Sequence, residues 1–371
     1  MNKQTALSFI NNSVNPEKLK EIAVKVIDNI RITAEEGILL YKTADLAYLS
    51  FLSNYVNEQK NSTNVYYVKN IHLEPSNICI HKCNFCSFRK NEENGYSLSL
   101  NEIEEKLIDI SRNKNISEIH IVGSVNPNKG LEYYSGIIEI TRKILPDIHI
   151  KAYSAVEIDD MISGSNLTLE EGLLLLKSKG LDSIPGGGAE ILDDRIREKI
   201  CNDKTNSEKW LKIHETAHNI GIYSNSTMLY GHIESYEDRI NHLNKLRELQ
   251  DKTNKFLSFI PLKFRNKNNS MSNIEEVSLI EDLRNYAISR IFLDNFNNIK
   301  AYWPMIGKST TQTSLAFGVN DIDGTINDST TIYTEAGVNN FDLTMTEQQM
   351  IELIKNAKKN PVLRNSVYKE I

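Results

Sequence analysis

The sequence predicts an α/β fold, a (β/α) barrel set between a helical lead-in and a C-terminal extension. Three observations lead there. Strand-like runs recur from about residue 64, helix-like stretches with their own start signals separate them, and no GxGxxG turn follows the first strand. Strands that alternate with helices pair in parallel. The missing glycine turn disfavours a dinucleotide-binding open sheet. Seven or so such units favour a barrel, although the connections alone do not decide between barrel and open sheet.

The lead-in, residues 1–63, reads as helices. Thr33 and Glu36 form a capping-box pattern, followed by apolar positions at Ile38, Leu39, Leu46, Leu49, Phe51 and Leu52. In the core, residues 64–307, strands are expected at 65–73, 118–122, 148–153, 182–184, 223–229, 256–262 and 299–303. Helical periodicity falls at 101–112, 169–179, 208–220, 236–251 and 277–295. Ser99 with Glu102, and Thr168 with Glu171, open two of these helices. No sequence repeat matches the spacing, which argues against a solenoid. The pattern loosens in the extension, residues 308–371, where a last helix is expected over 344–359 with Thr344 and Glu347 at its start.

A net charge of -6 argues against a nucleic-acid partner, which favours basic chains, and points to a small-molecule substrate. No apolar run approaches the roughly 18 residues that suggest a membrane helix. The first residues contain no signal-peptide core. A cytoplasmic protein without a membrane partner is the expectation.

Of the four cysteines, Cys79, Cys83 and Cys86 fall within eight residues, just after the first expected barrel strand. A disulfide scaffold would spread its cysteines and use more of them. Thiolates are soft ligands that suit zinc, copper(I) or iron–sulfur clusters. Structural zinc usually takes four ligands, commonly from two separated pairs. Here His81 is the one nearby candidate for a fourth, on the same tight loop, and no second pair follows. Most iron–sulfur clusters use four cysteines. Three on one loop would hold three irons of a cube and leave the fourth free. Cys201 stands alone and reads as an ordinary buried cysteine.

The Cys-x3-Cys-x2-Cys spacing, with Phe85 before the third cysteine, resembles the signature of the radical S-adenosylmethionine superfamily. That resemblance implies a TIM-type full or partial barrel with a [4Fe–4S] cluster at the C-terminal mouth of its strands. It implies metal ligation by Cys79, Cys83 and Cys86, and S-adenosylmethionine on the free iron. A low-potential electron donor of the flavodoxin or ferredoxin type is implied as well.

Further stretches are similar to the menaquinone and deazaflavin branch: 119–123, 151–158, 181–191 (with Pro185-Gly186-Gly187-Gly188-Ala189-Glu190-Ile191) and 228–234. Ser124 stands where that pattern has Gly. Within the branch, 72–77, 259–266, 302–307 and 318–325 most resemble the aminofutalosine synthase family. The cyclic dehypoxanthine futalosine synthase and deazaflavin synthase families are the alternatives, and a zinc-stabilised binding module is a remote one.

The favoured family's substrate is an aromatic enol ether dicarboxylate, 3-[(1-carboxyvinyl)oxy]benzoate. The adenosyl radical adds to it and S-adenosylmethionine is consumed. Phe85 is expected to cover the adenine, and Gly123 and Ser124 to let backbone approach the methionine moiety. Ser154, Glu157, Gly187 and Glu190 complete the expected cofactor contacts. Substrate carboxylates are assigned to His72, His232, Lys263 and Arg265, since Arg grips a carboxylate with two parallel hydrogen bonds. His232, Glu234 and Arg265 are the expected catalytic residues.

Overall fold

The computed structural model describes residues 2–112, 116–324, 332–337 and 344–371. Thr325, the end of the 318–325 stretch, lies outside them. The described strands are β1 (Asn64–Tyr67), β2 (Asn70–Leu73), β3 (Glu118–Ile121), β4 (His149–Ala152), β5 (Ser183–Ile184), β6 (Tyr223–Tyr230), β7 (Phe256–Lys263), β8 (Lys300–Ala301), β9 (Asp321–Ile322) and β10 (Asn360–Leu363). Strands β2 to β7 form one parallel sheet in sequential order. A parallel bridge between Phe259 and Ile299 leads from β7 toward β8. A second parallel sheet runs β10-β1-β9-β8. The result is a curled parallel half-barrel of TIM type.

The expected strand 65–73 is two strands in two sheets: β1 pairs with β9 and β10, and β2 pairs with β3. Nothing in the sequence punctuates the break, because Val68 is as apolar and buried as a strand residue. The chain changes sheets at Lys69, whose carbonyl accepts from Ser117 and whose ammonium pairs with Glu347.

Four helices, Lys3–Asn11, Glu17–Ile27, Ala34–Thr43 and Leu46–Asn61, precede β1. The three expected capping boxes are formed at Thr33/Glu36, Ser99/Glu102 and Thr168/Glu171. Helix Glu347–Asn356 is capped by Thr346 with Gln349, two residues later than expected. Helix Leu131–Ile144 was not expected; its cap is Gly130, which offers no side-chain signal. No described helix is long and apolar enough to cross a membrane.

Strand residues alternate between the two sheet faces. Ile119, Ile121, Ile150 and Ala152 belong to the apolar core under the helices. Glu118 and Lys151 are buried as an ion pair at 2.5 Å. The C-terminal segment closes over the second sheet through charge. Arg364 donates to both carboxylate oxygens of Asp321 at 3.1 and 2.8 Å, and Tyr368 donates to the same group. Lys300 lies 3.5 Å from Asp321 and 3.1 Å from Asp323.

Removing one member of such a buried pair strands the other. The variant Arg364→Met should lose about 3 kcal/mol or more of unfolding free energy, measured by urea denaturation. A loss below about 1 kcal/mol would show that the segment is not held by this pairing.

Candidate active site at the mouth of the half-barrel

The loop after β2 carries the three cysteines, and its backbone is stitched to its surroundings. At Gly123, just past β3, a Cβ would lie 2.7 Å from the Ser76 carbonyl oxygen. The Ser124 hydroxyl donates to the carbonyls of Ser76 (3.0 Å) and Ile78 (2.6 Å). Ile80 N–H donates to Val125 O, Asn84 N–H to Ile200 O, and Cys86 N–H to Cys83 O. Gly123 and Ser124 therefore hold the loop itself against the sheet.

Cys79, Cys83 and Cys86 line one cavity of about 110 Å³, with Phe85, His81, Ser124, Glu157 and Lys204 around them. Among the described residues, no three His, Cys, Asp or Glu side chains converge on a single metal ion. Three soft sulfur donors on one loop, with a cavity beside them, are the donor set that suits an iron–sulfur cluster. His81 instead lies 3.8 Å from Asp203.

A larger cavity of about 340 Å³ adjoins, and Phe85, Cys86, Gly123, Ser154 and Glu157 line both. Its walls include Gly186, Gly187 and Gly188, the apolar side chains of Leu229, Ile260, Leu262 and Phe264, and Tyr302 and Arg265. His120, Lys151, Asn225, Thr227 and Asp323 supply most of its polar lining on the sheet side.

The expected residues divide. Phe85, Gly123, Ser154, Glu157, Gly187, Glu190, Lys263 and Arg265 reach the larger cavity. Ser124 reaches the thiolate cavity. Glu157 is largely committed to the fold. Its Oε2 accepts from Ser154 N–H and Oγ–H, both at 2.7 Å, and its Oε1 from Gly123 N–H at 3.1 Å. The Ser154/Glu157 pair is the capping box of helix Ala155–Ser163. Burial pushes the Glu157 carboxyl up, and these donors pull it back.

The Lys263 ammonium donates to Val277 O (2.7 Å) and Asp282 (2.9 Å). Arg265 keeps capacity. Its Nη1 donates to Met305 O at 3.1 Å and its Nε lies 3.2 Å from Glu276, which uses only part of a five-donor fork. His72 is buried behind the cavity wall, its ring 4.9 Å from that of His120.

His232 and Glu234, expected as catalytic residues, are not among the residues that line either cavity. Both side chains are fully buried in the turn after β6. Glu234 accepts from the N–H groups of Gly231 and His232 and from Arg239 Nε, while His232 Nε2 contacts Leu229 O. Burial pushes the His232 imidazole down, against the pull of Glu234. The pair braces a turn.

The sequence assigned no role to Lys204, Arg89, His120, Lys151 or Asp323, although the last three lie in the stretches 119–123, 151–158 and 318–325 that carry the resemblance. Lys204 donates to Glu190 Oε1 at 2.5 Å and lies 5.4 Å from the centroid of the Phe85 ring. Burial opposes ionisation of Glu190, but Lys204 holds its carboxyl below the usual range. Arg89 borders the thiolate cavity, and its Nε is buried with no hydrogen-bond partner.

The close approach at Gly123 gives a direct test. Gly123→Val should displace the loop, with iron and brown absorption clearly reduced after anaerobic reconstitution while helical circular dichroism is retained. Iron loading equal to the parent protein would contradict it.

The comparisons agree with this geometry. Residues 73–246 match the Radical SAM superfamily, and residues 253–371 match the CofH/MqnC C-terminal region. The chain is 36% identical to aminodeoxyfutalosine synthase of Thermus thermophilus, over 96% of this chain and 97% of that one. It is 38% identical to 5-amino-6-(D-ribitylamino)uracil–L-tyrosine 4-hydroxyphenyl transferase of Archaeoglobus fulgidus, over 82% and 88%. The fold is similar to the FeFe-hydrogenase maturase HydG of Carboxydothermus hydrogenoformans (TM-score 0.73, 19% identity, 99% of this chain and 86% of that one). It is also similar to methylornithine synthase (TM-score 0.69, 16% identity, 92% and 97%). The chain belongs to the radical SAM superfamily, whose members use a [4Fe–4S] cluster and S-adenosylmethionine, and within it to the CofH/MqnC family.

Proposed function

We propose that the protein joins the 5′-deoxyadenosyl group of S-adenosylmethionine to 3-[(1-carboxyvinyl)oxy]benzoate, with rearrangement and decarboxylation. The product is 6-amino-6-deoxyfutalosine, for menaquinone formation. The observation that carries the reading is the joined pair of cavities, one lined by three thiolates and the other apolar with cationic groups on its wall. A flat aryl ring with two carboxylates matches such a space. The 36% identity to the Thermus thermophilus synthase along nearly the whole chain supports it.

Cys79, Cys83 and Cys86 would hold the cluster. When bound, the cluster and S-adenosylmethionine supply an adenosyl radical at the thiolate end. The chain's own residues bind and orient. Phe85 and Gly123, shared by the two cavities, fix where the adenosyl group meets the acceptor. Leu229, Ile260, Leu262 and Phe264 exclude water, which protects a reactive intermediate. Arg265 is placed to grip a carboxylate by its fork.

A second reading rests on the archaeal relatives: transfer of a hydroxyphenyl group from tyrosine to a ribityl-aminouracil. The 38% identity to the Archaeoglobus fulgidus transferase supports this reading. Product mass separates the two. The reduced, reconstituted protein is incubated with S-adenosylmethionine and either the enolpyruvyl benzoate or tyrosine plus 5-amino-6-(D-ribitylamino)uracil. The proposal expects an adenosyl-containing product from the first mixture only. Free 5′-deoxyadenosine with a hydroxyphenyl–uracil adduct from the second would overturn it. Replacing the fork by a point charge in Arg265→Lys should raise KM for the benzoate about tenfold. An unchanged KM would remove Arg265 from the site.

A further inference from the structure

His120, inside the 119–123 stretch but without an assigned role, is the most conspicuous unused group in the cavity. It stands on β3 in register with His72 on β2 and Lys151 on β4, so the three form one row across the sheet. His120 and Lys151 both line the larger cavity. The His120 Nε2 atom is buried and has no hydrogen-bond partner. A buried polar atom left unmatched costs free energy, so its persistence calls for a ligand that completes it.

The charges around this row are closed among themselves. Lys151 pairs with Glu118 at 2.5 Å, Lys300 sits between Asp321 and Asp323, and Arg364 completes Asp321. Burial pushes the His120 imidazole well below its usual range, and Lys151 and His72 push it the same way. The ring is therefore neutral, and in the Nε2–H tautomer it has one N–H to donate at the unpartnered atom. The Lys151 ammonium has three donors, of which the bond to Glu118 uses one. Hydrogen bonds to a charged partner are the stronger kind. An N–H donor beside an ammonium, in a cavity whose own carboxylates are already matched, is a place for an incoming carboxylate.

We propose that His120 and Lys151 form the anchor for the ring carboxylate of the acceptor substrate. This rests on the enolpyruvyl benzoate reading given above. The benzoate end points to the β3–β4 row, which leaves the enolpyruvyl methylene toward Phe85, Gly123 and the thiolates. His120 acts as a positioning and specificity residue and moves no proton.

The test measures equilibrium binding of the enolpyruvyl benzoate and of its ring methyl ester to the reconstituted holoenzyme with S-adenosylmethionine. The parent protein, His120→Gln and His120→Leu are compared. The expected result is a preference of the parent for free acid over ester of about tenfold or more. That preference should collapse in His120→Leu and be partly rescued in His120→Gln, which keeps an N–H. The cluster's electron paramagnetic resonance signal should be the same in all three, which excludes misfolding as the cause. If His120→Leu discriminates acid from ester as the parent does, or the parent does not discriminate, the anchor is overturned. Turnover scored separately distinguishes the failures. Aminodeoxyfutalosine made without a role for His120 removes the anchor alone, whereas neither binding nor product removes the functional reading as well.

Discussion

A backbone approach that only glycine permits fixes the site. The end of β3 comes so near the Ser76 carbonyl that a Cβ at Gly123 would sit 2.7 Å away. That proximity lets the Ser124 hydroxyl reach two carbonyls of the cysteine loop, and lets Gly123 N–H reach the Glu157 carboxylate. Glu157 in turn caps its own helix through Ser154. Strand end, cysteine loop and helix start are thus one hydrogen-bonded unit. The placing of the cysteine loop at the mouth of the sheet follows from it, and so does the wall that both cavities share.

The second constraint is electrostatic. The sheet carries buried cations and carboxylates where a common barrel carries branched aliphatic layers. Ion pairs of this kind gain little over apolar packing, and breaking one is costly. Their value here is positional. Lys151–Glu118 and the Lys300–Asp321–Asp323 group fix polar atoms beside the cavity, and Arg364 from the C-terminal segment completes the group. The C-terminal region thereby shapes the reaction chamber from behind.

The sequence disclosed what local chemistry dictates. Three thiolates on one loop are legible because the spacing of ligands is set by the cluster. Capping boxes at Thr33, Ser99 and Thr168 are legible because a hydroxyl and a carboxylate three residues apart satisfy helix N–H groups. The same pattern at Ser154/Glu157 caps helix Ala155–Ser163 while both residues also line the cavities, since a strand end suits either role. His232 and Glu234 are candidates by residue type, and the structure sets them in the turn after β6, where Glu234 accepts from two backbone N–H groups and His232 Nε2 contacts Leu229 O. Lys204, His120 and Asp323 gain meaning only when distant segments meet. The break between β1 and β2 is silent because tertiary pairing, not a glycine or proline, makes it.

The central claim is that Cys79, Cys83 and Cys86 hold a cube with one corner left for S-adenosylmethionine. Electron paramagnetic resonance of the reduced, anaerobically reconstituted protein, with and without S-adenosylmethionine, tests it most directly. The account predicts a single reduced-cluster signal that changes shape when S-adenosylmethionine is added. Absence of the signal, or a signal indifferent to S-adenosylmethionine, would contradict it.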